Sequence, residues 1–224
     1  MKKISLSALL IFFTLLSQGQ DNPLKERKMI DPVSGNLLYI SQYEDVKGSP
    51  FYSEDWMKAI VIANNNTMFK NMQLKLDVTN NEFLFKRNDT DFLLGPEITE
   101  VRLFARNGDS IVFKNGYDIN NAIRPSRYLQ VLEEGKVTFL KNLKKGIEEY
   151  NEYGDATKYK HFVEQYEYYT YRDGKADPAR LTKKELQSLL SDKWDKVSQF
   201  LSQNNLSGKD EKSFKAAVGY YNSL

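Results

Sequence analysis

Met72, Leu74, Leu76 and Val78 alternate with Gln73, Lys75 and Asp77, and no other stretch of this 224-residue chain constrains its fold as tightly. An apolar residue at every second position turns one face of an extended strand to a core and the other to water, whereas a helix would scatter the same residues around its axis. The texture repeats on both sides, cut by turn residues. Residues 56–63 alternate loosely and end at Asn64-Asn65-Asn66, Asn80-Asn81 precedes Phe83-Leu84-Phe85, and Asn88-Asp89 precedes Phe92-Leu93-Leu94. Gly95-Pro96 stops that run, and Ile98, Val101, Leu103 and Phe104 then lead to Asn107-Gly108. An Asn-Gly pair between two strand-like runs is the strongest short-range hairpin signal, and Ile111-Val112-Phe113 supplies the returning strand. Strands recurring about every ten residues predict an antiparallel β meander, as a small barrel or curved sheet.

Further along, residues 117–127 read as a loop. Residues 128–132 and 136–140 flank Glu133-Glu134-Gly135 as another hairpin. Seven of the 14 tyrosines fall between positions 150 and 171, and Tyr166, Tyr168, Tyr169 and Tyr171 suit an extended strand. After Asp173-Gly174 and Pro178 the period becomes helical. Thr182-Lys183-Lys184-Glu185 is a capping box, followed by an apolar stripe through Leu186, Leu190, Trp194, Val197 and Leu201. A break near Ser191-Asp192 into two helices is an open alternative. Phe214, Ala217, Val218 and Tyr221 form a last helical face, starting near Ser207 or Lys209. The expectation is an α+β chain with a signal peptide at 1–19, an N-terminal arm at 20–49, a β-rich domain at 50–172 and a helical C-terminal segment at 173–224.

The signal peptide is read from Met1-Lys2-Lys3, an almost wholly apolar stretch over residues 4–16, and the small residues Ser17 and Gly19 at its exit. That apolar run of about thirteen residues is shorter than the roughly twenty that span a membrane. Export to the periplasm or cell surface is the expectation, with an uncleaved anchor as the alternative. Lys2 and Lys3 leave with the signal, so the 32 basic residues fall to 30 and balance the 30 acidic ones. A neutral mature chain gives no electrostatic reason to expect nucleic acid. Zero cysteines exclude disulfides, thiolate metal sites and thiol catalysis, and the one histidine, His161, excludes any site needing two imidazoles. No cofactor or metal is implied.

Lys47-Gly48-Ser49-Pro50-Phe51 ahead of Trp56, the strand pair over residues 74–85 and the ending Tyr220-Tyr221-Asn222-Ser223-Leu224 together resemble a group of uncharacterised secreted proteins of Bacteroidetes bacteria. The resemblance implies an envelope location. It implies no catalytic or binding residue, because that group carries no assigned activity.

Among single features, His161 has no Gly-x-Ser-x-Gly elbow to serve and reads as a surface or packing residue. Asn88-Asp89-Thr90-Asp91 lacks the glycine and distal glutamate of a calcium loop and reads as turn chemistry. The tyrosines are the ligand-binding candidates: Tyr166, Tyr168, Tyr169 and Tyr171, joined by Trp56, offer flat rings for sugar stacking and hydroxyls for polar edges. Strand alternation pairs Tyr166 with Tyr168 on one face and Tyr169 with Tyr171 on the other, and the first pair is expected to point inward. No catalytic residue is identified. The expected function is a non-catalytic envelope protein that binds an envelope protein or glycan, or serves a structural role. The alternative is a hydrolase of envelope polysaccharide working through two carboxylates.

Overall fold

A computed structural model describes residues 41, 43–119, 123–154 and 157–224. The signal peptide, most of the N-terminal arm and its apolar cluster Leu37-Leu38-Tyr39-Ile40 lie outside the described residues. No helix of the described residues is long and apolar enough to cross a membrane.

The fold is one large, open, mostly antiparallel sheet with a small helical C-terminus. Its strands are β1 (Val46–Lys47), β2 (Met57–Ala63), β3 (Met68–Asp77), β4 (Glu82–Arg87), β5 (Thr90–Leu93), β6 (Ile98–Phe104), β7 (Ser110–Lys114), β8 (Leu129–Glu133), β9 (Thr138–Asn151), β10 (Lys158–Arg172) and β11 (Lys175–Ala179). The spatial order is β1-β10-β9-β8-β7-β6-β2-β3-β4-β5, with β11 also paired to β10. A single meander was expected. Instead β2 to β5 run outward in one direction, and β6 returns to pair with the other edge of β2 before β7 to β10 continue the opposite way. The chain turns back at Gly95-Pro96, where the expected stop falls. The turn signals hold: Asn88 and Asp89 both have positive φ, at 49° and 59°, and join β4 to β5 as a two-residue turn.

Register shifts between Ala59 and Val61 and between Val131 and Glu133 bend the sheet. It curls until Phe83 of β4 meets Tyr128 edge-on, with ring centroids 5.0 Å apart, and Leu143 of β9 joins the same core. That core is built from the alternation seen in sequence: Leu74 and Leu76 of β3, Ala59 and Val61 of β2, and Val101 and Leu103 of β6. Residues 49–52 lie against it. Phe51 pairs with Asp77, and Lys145 Nζ donates to the Ser49 and Phe51 carbonyls at 3.1 and 2.7 Å.

A second core lies between the sheet and the helices α1 (Lys183–Leu189), α2 (Trp194–Gln203) and α3 (Glu211–Ser223). Leu186, Leu190, Val197, Leu201, Phe214 and Val218 bury there against Leu132 and Phe139. The apolar stripe therefore covers the sheet, as its spacing requires. The break near 191 is real: a 3-10 turn, Ser191–Lys193, separates α1 from α2. Thr182 accepts from the Glu185 N–H at 3.1 Å, the N-cap half of the capping box. For α3 the cap is Asp210, which accepts from the Ser213 N–H at 2.8 Å, one residue beyond the expected start. The helical segment also begins later than position 173, because residues 175–179 return along β10 as β11.

A third core fills the opposite face of the sheet, where Ile119 and Ile123 lie over Leu129, Leu140 and Tyr169.

Candidate ligand-binding cleft

β10 places the four candidate tyrosines as alternation requires, but burial does not follow face. Tyr168 stacks on Phe139 with centroids 5.6 Å apart beneath the helices and donates to Glu211 at 2.8 Å. Its face partner Tyr166 is 48% exposed, donates to Glu164, and has Lys141 Nζ 4.2 Å from its ring centroid. On the other face Tyr169 is only 6% exposed, and Tyr171 meets Tyr117 edge-on at 5.2 Å. The expectation that Tyr166 and Tyr168 form the inward pair is therefore corrected. Both faces are covered near the C-terminal end of β10, by helices on one side and by the 117–127 loop on the other, and Tyr166 falls beyond the helical cover. Trp56 precedes β2, with Lys86 Nζ 5.7 Å from its ring. The five aromatics do not converge on one site. His161 packs edge-on to Tyr150 at 5.0 Å with its Nδ1 buried and unbonded.

The sheet does form a concave site elsewhere. A cleft of about 800 Å³ opens between the β3–β4 turn, the Leu94–Pro96 connection, residues 123–127 and β9. Buried Asp77 organises the first wall, accepting from the Asn80 N–H at 3.0 Å and from the Asn80 side-chain amide at 3.1 Å. Asn81, at φ 58°, then clamps the backbone of Tyr128: it accepts from the Tyr128 N–H at 2.7 Å and donates to its carbonyl at 3.0 Å. The Tyr128 hydroxyl donates to the Ile98 carbonyl at 2.7 Å, and burial pushes its pKa far up, so it stays a neutral donor. Asn115 donates to the same carbonyl at 2.9 Å.

The opposite wall, formed by Arg127, Asn142 and Lys144, is backed by a charged chain. Arg127 Nε donates to Asn142 Oδ1 at 2.8 Å and Nη2 donates to the Leu143 carbonyl at 3.3 Å. Asn142, fully buried, donates in turn to Glu167 at 3.0 Å. Glu167 also takes Lys144 Nζ at 2.6 Å and the Tyr169 hydroxyl at 3.0 Å. Burial works to raise its pKa, but these donors outweigh it and hold the carboxyl below its usual range. The Tyr169 hydroxyl, desolvated and bonded to that carboxylate, is pushed up to about 12. Among the described residues lining the cleft, Glu82 is the one carboxylate.

None of the residues lining the cleft was a candidate from sequence; of the candidates, Tyr169 alone joins the chain behind the wall. One signal was present: between Asp118 and Glu133 the chain carries Arg124 and Arg127 with no acidic residue. Two guanidiniums in a stretch free of acidic residues raise the local positive potential.

Against protein-family models, curated proteins and solved structures, the chain matches none.

Proposed function

We propose that this protein is an exported, non-catalytic binding module of the cell envelope that holds a glycan in the cleft between residues 123–127 and the β3–β4 turn. The observation that carries this reading is the way the cleft's polar groups are fixed before any ligand arrives. Asn80, Asn81, Asn115 and Asn142 each spend part of an amide on the protein's own backbone or side chains. Among the described residues nothing donates to the side-chain oxygens of Asn80 and Asn115. Fixed amides beside the partly exposed Leu93, Leu94 and Pro96 offer the mixture of donors, acceptors and apolar surface that a sugar presents in return. A glycosidase of the two-carboxylate type needs a pair of carboxyl groups about 5–10 Å apart in one cleft. Glu82 alone among the described lining residues gives that alternative less support.

The test is a screen of the mature protein against envelope oligosaccharides by titration calorimetry, alongside Ser126→Trp. Ser126 is an exposed residue of the cleft wall, so an indole there fills the cleft without touching a core. A bound oligosaccharide should be lost in Ser126→Trp at an unchanged melting temperature. Binding that survives the block, or a screen without binders, refutes the site. Intact mass of protein from the native host tests the export half, and an envelope species retaining residues 1–19 overturns the cleaved signal.

A further inference from the structure

Arg127 is the half-buried cation of the cleft that no described carboxylate neutralises. Its guanidinium is half-buried, and both of its protein acceptors, Asn142 Oδ1 and the Leu143 carbonyl, are neutral. No carboxylate lies within ion-pair distance of it among the described residues. The nearest candidate, Glu167, is reached only through Asn142 and is already paired with Lys144 at 2.6 Å. Burial pulls the Arg127 pKa below its ordinary value, with the Glu167 charge acting the other way, so the cation is desolvated more than it is compensated. Charges withdrawn from water in folded proteins are ordinarily paired, because desolvation of an unpaired one is unfavourable.

The hydrogen bonds also decide which donors remain. Nε and one Nη2 hydrogen are committed, so the guanidinium is held in a fixed plane while Nη1 has no protein partner among the described residues. That leaves the Nη1–Nη2 edge, the geometry that grips two oxygens of a carboxylate or sulfate. The other charged groups of the wall are Arg124, Lys144 and Glu82. Arg124 is exposed and has no ion pair among the described residues, Lys144 is paired with Glu167, and one carboxylate, Glu82, is counted with two arginines among the described lining residues. The unspent charge of the cleft is therefore positive.

We propose that the ligand of this cleft is an acidic saccharide, whose carboxylate or sulfate group docks on Arg127 while its sugar ring lies against the amide wall. This rests on the glycan reading of the cleft and adds the ligand's charge and the residue that reads it.

The experiment uses charge-matched pairs on the mature protein. Oligogalacturonate is compared with its methyl ester, and a sulfated galactan oligosaccharide with its desulfated form. The acidic member of at least one pair should bind at least tenfold more tightly than its neutral partner, and the pair that does so identifies the anionic group. Arg127→Gln should bring acidic and neutral members to the same affinity. Arg127→Lys, which keeps the charge and loses the fork, should retain only part of the preference. Equal binding of acid and neutral forms by the wild type overturns the proposal, and so does a preference that survives Arg127→Gln. If Arg127→Gln does not fold, the wild-type comparison decides alone. Equal binding that Ser126→Trp abolishes would sink the acidic ligand and leave the glycan cleft standing. No binding by any member would remove both.

Discussion

Asn222, in the last turn of α3, reaches back to the entrance of β9 and substitutes for a strand. Its side chain accepts from the Val137 N–H at 3.0 Å and donates to the Val137 carbonyl at 2.8 Å, closing a contact between positions 85 residues apart. Val137 is fully buried, so water has little access to replace these bonds. In Asn222→Ala both backbone groups lose their partner. A net hydrogen bond is worth about 1 kcal/mol and a stranded buried group about 1–3 kcal/mol, so the loss should be about 2–4 kcal/mol. At about 2–4 °C per kcal/mol for a chain of this length, the melting temperature should fall by about 5–15 °C. The same clamp explains Gly135. A Cβ there would lie 2.5 Å from the Asn222 Cγ and Nδ2 atoms, so Gly135→Ala should push the amide off Val137 and cost about 1–3 kcal/mol by itself. The two losses share one cause and should not add. With Asn222 already cut to alanine, two of the three close contacts vanish, leaving the Asn222 Cβ at 2.9 Å. The double variant should lose about 1–2 kcal/mol less than the sum of the singles. Urea melts followed by tryptophan fluorescence and circular dichroism measure all four corners of the cycle. A change under about 0.5 kcal/mol for Asn222→Ala, or strict additivity, would refute the clamp.

Two further perturbations test the helical cover and the charged face of the sheet. Leu190 is fully buried in the helix–sheet core, so Leu190→Ala should cost about 2–5 kcal/mol, read as a lower urea midpoint at unchanged slope; an unmoved midpoint would mean the helices are not packed on the sheet. Glu100 is bonded by Arg102 and Lys114; burial works to raise its pKa, but the two cations prevail and hold it below 4.5 in the folded protein. A depressed folded-state pKa gives stability that is present above the unfolded value and lost as pH falls through the folded one. The acid limb of the wild type below about pH 4.5 should therefore flatten in Glu100→Gln, and identical limbs would show that Glu100 contributes nothing to it.

What the sequence made legible is what single-residue chemistry decides. The alternation through Met72 and Val78 placed β3 and its buried face, Asn88-Asp89 gave a turn with two positive φ angles, and Thr182 gave an N-cap. The missed elements break those local signals for identifiable reasons. β9 runs on through Lys144, Lys145 and Gly146 to Asn151 because β10 pairs with it along that length, although its outer half is exposed and carries no apolar alternation. β11 contains Pro178, which a sequence reading takes as a stop; paired only to β10, it is an edge strand, where a missing N–H costs no ladder bond. The cleft was invisible for a deeper reason. Asn142, Lys144 and Glu167 share one face of adjacent strands, and a polar row of that kind ordinarily faces water. Here the loop that buries Leu129 and Leu140 also brings Arg127 onto Asn142, so the row becomes the wall of a cleft. The same cover explains the tyrosines: Tyr169 lies under the loop and is buried, while Tyr166 lies clear of the helices and is not. Face is a property of the local sequence, but cover is set by where a distant segment lands. Arg127 is then the residue to watch, because the contact that creates the wall gives it neutral acceptors, with no carboxylate at ion-pair distance among the described residues.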